Sequence, residues 1–383
     1  MINETRVYLD NAATTKVRPE VFDTMRLVLC EEYGNPSSIH REGQCARKLL
    51  EEARESIAQN LACTPEEVFF TSGGTESDNW AIKCAATVSD ANKRHIITSA
   101  IEHPAVLKPC LALEREGYKV TVLPVDKEGL VSPDSLAKAL TPDTALVSVM
   151  LGNNEIGTIE PIAELCKLVH SQGALFHTDA VQAVGTIPVD ITALGVDLLS
   201  FSAHKFYGPK GVGGLYVRKG TLLPSFIDGG AQESNHRAGT ENLPGIVGMA
   251  RALELAVSGL SETDASIRTL REILIREVLD LTPQARFNGH RTQCLPGIAN
   301  FTFPGEDGER LLLMLNYEGF ACSGGAACSS RNAEVSHVLT SIGLSKEEAK
   351  SSLRVSIGAF NSEEEIYRFV SALEKLLTKL RRG

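Results

Sequence analysis

Lys205 follows an apolar run, Leu198-Leu199-Ser200-Phe201-Ser202, and precedes a Gly/Pro-rich turn, Phe206-Tyr207-Gly208-Pro209-Lys210-Gly211. Alone, such a lysine reads as a surface cation at a strand end. A lysine that forms an imine needs a desolvated site and a set of partners around it. The partners are therefore sought in the other motifs.

His177-Thr178-Asp179-Ala180-Val181-Gln182 closes the preceding apolar run. Its acid could be no more than a helix N-cap. It could equally hold a proton on a pyridine nitrogen, because a carboxylate beside that nitrogen keeps the ring cationic and electron-withdrawing. Gln182 could then donate to the ring's phenolic oxygen. Thr71-Ser72-Gly73-Gly74-Thr75-Glu76-Ser77 lies between a strand and a helix. Its glycines permit close backbone approach, and free N–H groups at the helix start suit an anion such as phosphate. It is neither a P-loop nor a GxGxxG turn.

Three further strand-end segments carry polar side chains: Ile101-Glu102-His103-Pro104, Gly152-Asn153-Asn154-Glu155-Ile156-Gly157 and His236-Arg237-Ala238-Gly239-Thr240-Glu241-Asn242. His103 could stack on a ring or move a proton. Finally, Cys322-Ser323-Gly324-Gly325-Ala326-Ala327-Cys328-Ser329-Ser330 sets a thiol among small residues. A structural cysteine normally sits in an apolar periodic segment. One in a small-residue loop suits a nucleophile that travels.

The elements that must position these groups alternate. Strands are expected at 68–71, 95–100, 119–125, 145–151, 174–178, 198–202 and 215–217, with helices over 43–61, 136–140 and 162–170. Continuously apolar strands separated by helices indicate a mainly parallel sheet covered on both faces. Ligands bind beyond the carboxyl ends of such strands. Towards the C-terminus long helical patterns appear at 246–258, 263–281 and 363–381, with short strands at 299–302 and 353–356, which reads as a smaller α+β unit. The expected division is a large domain over 16–250 and a small one formed by 1–15 and 251–383.

Composition narrows the function classes. A formal net charge of −10 argues against a nucleic-acid partner. No apolar run reaches the roughly 18 residues of a membrane span, and residues 1–15 show no secretory pattern. Nine scattered cysteines without a CxxC pair fit neither a disulfide framework nor a zinc site, and suit a reducing cytoplasm.

Together these motifs resemble the cysteine desulfurases of the iron–sulfur-cluster and nitrogen-fixation type, within the class V aminotransferase-like group. The likeness runs from Tyr8-Leu9-Asp10-Asn11-Ala12-Ala13-Thr14-Thr15 through Tyr33-Gly34-Asn35-Pro36-Ser37-Ser38 to Leu353-Arg354-Val355-Ser356. The conjunction of Thr-Asp-Ala-Val-Gln, Ser-Ala-His-Lys, Arg-x-Gly-Thr and the Gly-rich cysteine loop is highly specific.

The resemblance implies a PLP-dependent transferase of fold type I, with a seven-stranded sheet and pyridoxal 5′-phosphate as cofactor. Lys205 would carry the cofactor, Asp179 pair with its ring nitrogen and His103 stack on the ring. Gln182 and Asn154 would contact its oxygen side. Gly74, Thr75, Ser202, Ala203 and His204 would surround the phosphate, joined by Thr240 from a second subunit, so a homodimer is expected. Asn35, Asn154 and Arg354 would bind the substrate. Cys328 would take sulfur from L-cysteine as a persulfide, leave L-alanine, and pass the sulfur to acceptors such as an iron–sulfur scaffold. No resident metal is expected, though Cys328 could transiently ligate an iron–sulfur cluster. Ser329-Ser330 and Glu334 to Leu339 look like the group with the longer, mobile loop. Ala326 and Ala359 depart from the Ser and Arg of many relatives, and Cys322 reads as a bystander. Selenocysteine lyase, class V aminotransferase and a non-catalytic scaffold are the competing readings.

Overall fold

The computed structural model describes residues 6–88, 93–324 and 335–382. Among these residues thirteen short strands form three sheets. β2 (Val68–Thr71), β3 (His95–Ser99), β4 (Lys119–Leu123), β5 (Thr144–Ser148), β6 (Leu175–Asp179), β7 (Leu198–Ser202) and β8 (Gly213–Val217) make a seven-stranded sheet in the order β2-β8-β7-β6-β5-β3-β4. The pairs from β4 to β7 are parallel, and β8 runs antiparallel to both β7 and β2. The expected mainly parallel sheet is therefore present, with one reversed strand near its edge.

Strand geometry sends successive side chains to opposite faces. Ile97, Val147, Leu199 and Tyr216 enter one core with Phe176 and Phe201. Their immediate neighbours Ile96, Leu146, Leu198 and Leu215 enter another with Trp80 and Ile82. The first core is roofed by α2 (Arg41–Leu61) and the helix Leu243–Ser258, which also packs on α1 (Pro19–Cys30). The second is covered by α3 (Gly74–Val88) and α4 (Pro104–Arg115). With both faces covered, the strands need no polar alternation, which is why they read as continuous apolar runs.

A second unit contains β9 (Arg286–Asn288), β10 (Ile298–Thr302), β12 (Ser323–Gly324) and β13 (Ser352–Ser356), antiparallel in the order β12-β13-β10-β9. β1 (Val7–Tyr8) pairs in parallel with β11 (Phe320–Ala321). The helices Leu260–Leu281 and Glu363–Arg382 pack on each other, and their apolar residues share a core with Leu9, Phe301 and Val355.

The reversed β8 aligns two strand ends. Gly213 is in register with both Thr71 and Ser202, so the β2–α3 turn and the end of β7 lie at one edge. That edge also carries the ends of β3, β5 and β6, where the chemistry-bearing segments begin.

Candidate active site

Ala203–Lys205 forms a single 3-10 turn, closed by Phe206 N–H donating to Ala203 O at 3.1 Å. Lys205 Nζ reaches the carbonyls of Ala12 at 2.6 Å and Ala13 at 3.0 Å. Gln182 Nε2 donates to the same Ala12 oxygen at 2.8 Å. Ala12 itself is anchored by its N–H to Ser356 Oγ at 2.9 Å. The segment 10–15 thus bridges the two units and forms one wall of the site.

Asp179 ends β6 and is buried, with Oδ1 accepting from Val181 N–H at 2.9 Å. Burial pushes its carboxyl up, while His103, the Val181 N–H and Lys205 pull it back down. His103 caps α4 through Nδ1, which accepts from Ala105 N–H at 3.1 Å. Since Nδ1 is an acceptor there, the neutral ring carries its proton on Nε2. Burial lowers the His103 pKa, Asp179 raises it, and Lys205 and His337 lower it again. Lys205, Asp179 and His103 are thus mutual electrostatic neighbours at one sheet edge.

Beneath them lies a buried polar layer absent from the sequence-derived candidates. His177 Nδ1 and Nε2 face Ser148 Oγ at 2.8 Å and Ser200 Oγ at 3.0 Å. Burial pushes His177 down to about 3. Asp78 Oδ1 stands 3.6 Å from His177 Nε2, and burial, then the charge of Asp179, raise the Asp78 carboxyl well above the usual range. Glu102 is raised likewise, chiefly by burial, and accepts from Ser99 Oγ at 2.5 Å and Met150 N–H at 2.9 Å. The legible signal for Asp78 is spacing: it lies one helical turn beyond Gly74, on the face of α3 that meets the sheet.

The β2–α3 turn opens on a cavity of about 370 Å³ whose lining includes Gly74, Thr75, Ser202, His204 and Lys210. A Cβ at Gly74 would come within 2.6 Å of Val181 Cγ2, and one on Gly213 within 2.7 Å of the Gly73 Cα. The turn can pack this closely against Val181 and β8 only because these side chains are missing. Burial pushes His204 down to about 4, with Lys205 and Lys210 adding to the effect; its Nδ1 contacts Thr14 Oγ1 at 3.1 Å. Ala203 is fully buried under the turn.

Arg354 on β13 is buried. It donates from Nη1 to Asn154 O at 3.0 Å and from Nη2 to Asp10 Oδ1 at 2.8 Å, while Nε has no hydrogen-bond partner among the described residues. Asn154 and Arg354 are therefore together. Asn35 is exposed between α1 and α2, and its Oδ1 accepts from Ser37 N–H at 2.9 Å. Pro36 and Ser37 line a separate cavity with Arg54 and Glu233. Thr240 is exposed and lines a neighbouring cavity with Ser72, Gly211 and Arg237. Cys322 lies between β11 and β12, and burial, then Asp10, push its thiol up to about 12. Cys328 falls outside the described residues, as do Ala326, Ser329, Ser330 and Glu334. Among the described residues no cluster of ligands suits a metal ion.

The aminotransferase class-V family matches residues 7–369. The chain is 51% identical over 375 residues to the "Cysteine desulfurase IscS" of Dictyoglomus turgidum, covering 98% of this chain and 95% of that one. It is 48% identical to the "Cysteine desulfurase IscS" of Methanosarcina thermophila, over 98% and 93% of the two chains. The chain belongs to the cysteine desulfurases. Among solved structures, a "NIFS-LIKE PROTEIN" superposes with a TM-score of 0.93 at 41% identity, covering 98% of this chain and 100% of that one. The structure titled "SspA in complex with cysteine" superposes with a TM-score of 0.82 at 35% identity, over 94% and 100% of the chains.

Cysteine desulfurases are PLP-dependent enzymes, and this cysteine desulfurase has the α/β fold expected of them. Its residues fit the cofactor. The glycine-lined cradle suits a phosphate, Asp179 offers a buried carboxylate that a pyridinium would stabilise in its charged form, and Lys205, an electrostatic neighbour of Asp179, reaches the Ala12 wall.

Proposed function

We propose that this protein takes the sulfur of L-cysteine onto Cys328 and releases L-alanine. The observation that carries the reading is the meeting of Lys205, Asp179 and His103 beside the β2–α3 cradle, on a chain whose relatives are named cysteine desulfurases. The bound cofactor supplies an electron sink that weakens the Cα–H and Cβ–S bonds of an amino acid attached to it.

The chain's own residues do the rest. Lys205 holds the cofactor and, once released, takes and returns the Cα proton. Asp179 keeps the ring nitrogen protonated, which the low-dielectric surroundings make more effective. His103 would lie against the ring, with Nε2 as its proton-bearing atom. Gln182 and Asn154 face the ring's oxygen side. Gly74, Thr75, Ser202 and His204 would hold the phosphate with Ala203 beside them in the cofactor site, and Thr240 of a second copy would complete it in a homodimer. Arg354, with Asn154, takes the substrate carboxylate. Asn35 joins them as a substrate-binding residue.

Gly324 pairs with Leu353 beside Arg354. Past residue 334, Ser336 Oγ donates to Glu155 Oε2 at 2.6 Å and the His337 ring contacts Glu102 O at 2.8 Å. Both flanks of the Cys328 segment are thus fastened to the site. Cys328 is four residues from Gly324, a span of at most about 14 Å. Its thiolate attacks the substrate sulfur; a new S–S bond forms as the Cβ–S bond breaks, and the carbon skeleton gains protons to leave as alanine. The product is a persulfide, which acceptor proteins such as an iron–sulfur scaffold would collect. No single described helix is long and apolar enough to cross a membrane, and the scattered free thiols suit the cytoplasm.

Purified protein with cofactor and L-cysteine is expected to yield alanine and, with a thiol reductant, an equal amount of sulfide. Cys328→Ala should keep the bound-cofactor absorbance and lose sulfide release. Lys205→Ala should lose the borohydride-reducible link to the cofactor. Unchanged turnover in Cys328→Ala, with amino transfer to a 2-oxo acid, would move the protein to the aminotransferases.

A further inference from the structure

Glu76 is an acid where the proposed ligand is an anion. It sits in the first turn of α3 and lines the same cavity as Gly74, Ser202 and His204. Its side chain is only 11% exposed, so water screens its charge poorly. It also has a local task, because Oε2 accepts from Ser72 N–H at 2.8 Å and so fixes the turn that leads into the cradle. That task needs an acceptor, not a charge.

The charge is met by Arg237. Its Nε donates to Glu76 Oε1 at 2.8 Å and its Nη2 to Oε2 at 3.2 Å, a two-pronged pairing. Arg237 follows a turn in which Glu233, Ser234 and Asn235 all have positive φ, at 43°, 56° and 68°. Such backbone is costly for residues other than glycine and persists only where surroundings enforce it. Here the Glu233 carboxylate is bound by both Arg54 Nη1 and Nη2 at 2.9 Å and accepts from Phe70 N–H at 2.9 Å. Phe70 belongs to β2, the strand that ends in the cradle. The turn is thereby locked to the same strand and helix that Arg237 must reach.

We propose that Arg237 is a positioning residue for the cofactor phosphate: by pairing with Glu76 it cancels a negative charge at the cradle and leaves Glu76 free to brace the Ser72 turn. This rests on the reading that the cradle holds a phosphate. The pair acts on charge, and its two members should behave oppositely when neutralised.

The test strips cofactor from the full-length protein and titrates it with pyridoxal 5′-phosphate and, separately, with pyridoxal, which lacks the phosphate. Arg237→Gln should weaken pyridoxal 5′-phosphate binding by roughly tenfold or more and leave pyridoxal unchanged. Arg237→Lys should retain most of the affinity, which also reports on folding. Glu76→Gln should bind pyridoxal 5′-phosphate as well as the parent or better, and Glu76→Gln with Arg237→Gln should recover the loss. If Glu76→Gln weakens binding as much as Arg237→Gln, or the double variant is no better than the single, the pair is a mere brace and the proposal fails. If the parent protein does not prefer pyridoxal 5′-phosphate to pyridoxal, the fault lies with the phosphate reading itself.

Discussion

Arg354 Nη2 donates to Asp10 Oδ1 at 2.8 Å, joining residues 344 apart in the chain. Asp10 also accepts from Ser323 Oγ at 2.9 Å, on the strand that leads into the Cys328 segment. The residue expected to take the substrate carboxylate is therefore already bound to a carboxylate, and its buried Nε has no partner among the described residues.

On the proposed role of Arg354, Asp10 would compete with the substrate carboxylate. Arg354→Ala should raise the KM for L-cysteine about 30-fold or more, because a buried charge-assisted pair with the substrate is lost. Asp10→Asn should lower KM or leave it unchanged. Steady-state kinetics of the two variants decide the point, and an unchanged KM in Arg354→Ala would remove Arg354 from the substrate site.

Cys322 stands near the site but should not share the chemistry. Burial, with Asp10 nearby, pushes its thiol up to about 12, so it remains protonated at neutral pH. Thiolate is the reactive form. Cys322→Ala should retain sulfide release within about twofold, and iodoacetamide at pH 7.5 should leave Cys322 unmodified by mass spectrometry while exposed Cys30 reacts.

The buried His177 predicts an acid limb in stability. Its folded pKa of about 3 lies below the unfolded value of 6.5. Between those values the unfolded chain binds the extra proton, so stability falls as pH drops from 6.5 towards 3, by up to about 1.4 kcal/mol per pH unit. Asp78 and Glu102, raised by burial, act in the opposite sense, so the comparison must isolate the histidine. The stability advantage of the parent over His177→Asn, from urea unfolding, should shrink as pH falls below 6.5. A gap independent of pH would show that the ring is not held neutral.

Arg54 and Glu233 form an ion pair with side chains only 11% and 3% exposed. Removing one member strands the other charge. Arg54→Ala should destabilise the protein by about 3–5 kcal/mol, seen as a lower urea midpoint, and Arg54→Met with Glu233→Leu should lose less than the single variant. Equal losses in both would assign the effect to packing over Phe70, which the guanidinium covers at 4.5 Å from the ring centroid.

Much of the site is legible in the chain because its parts are local. Strand β6 ends in Asp179 and β7 leads directly into Lys205, and apolar runs followed by polar turns announce both positions. The Gly73-Gly74 turn is legible for the same reason, since short-range backbone demands select glycine there. α1 and α4 are less legible, and their amphipathic faces emerge only against the helix Leu243–Ser258 and against α3.

Residue types and order alone determined a mainly parallel α/β core and marked out a candidate lysine and acid at neighbouring strand ends, a candidate anion turn and a candidate thiol, because each is encoded within a few neighbouring residues. Tertiary structure alone decided that Asp10 occupies Arg354, that Arg237 answers Glu76, and that Asp78 and His177 underlie Asp179. Those pairings depend on how distant segments dock, which the reversal of β8 and the bridge made by residues 10–15 determine and no local pattern records.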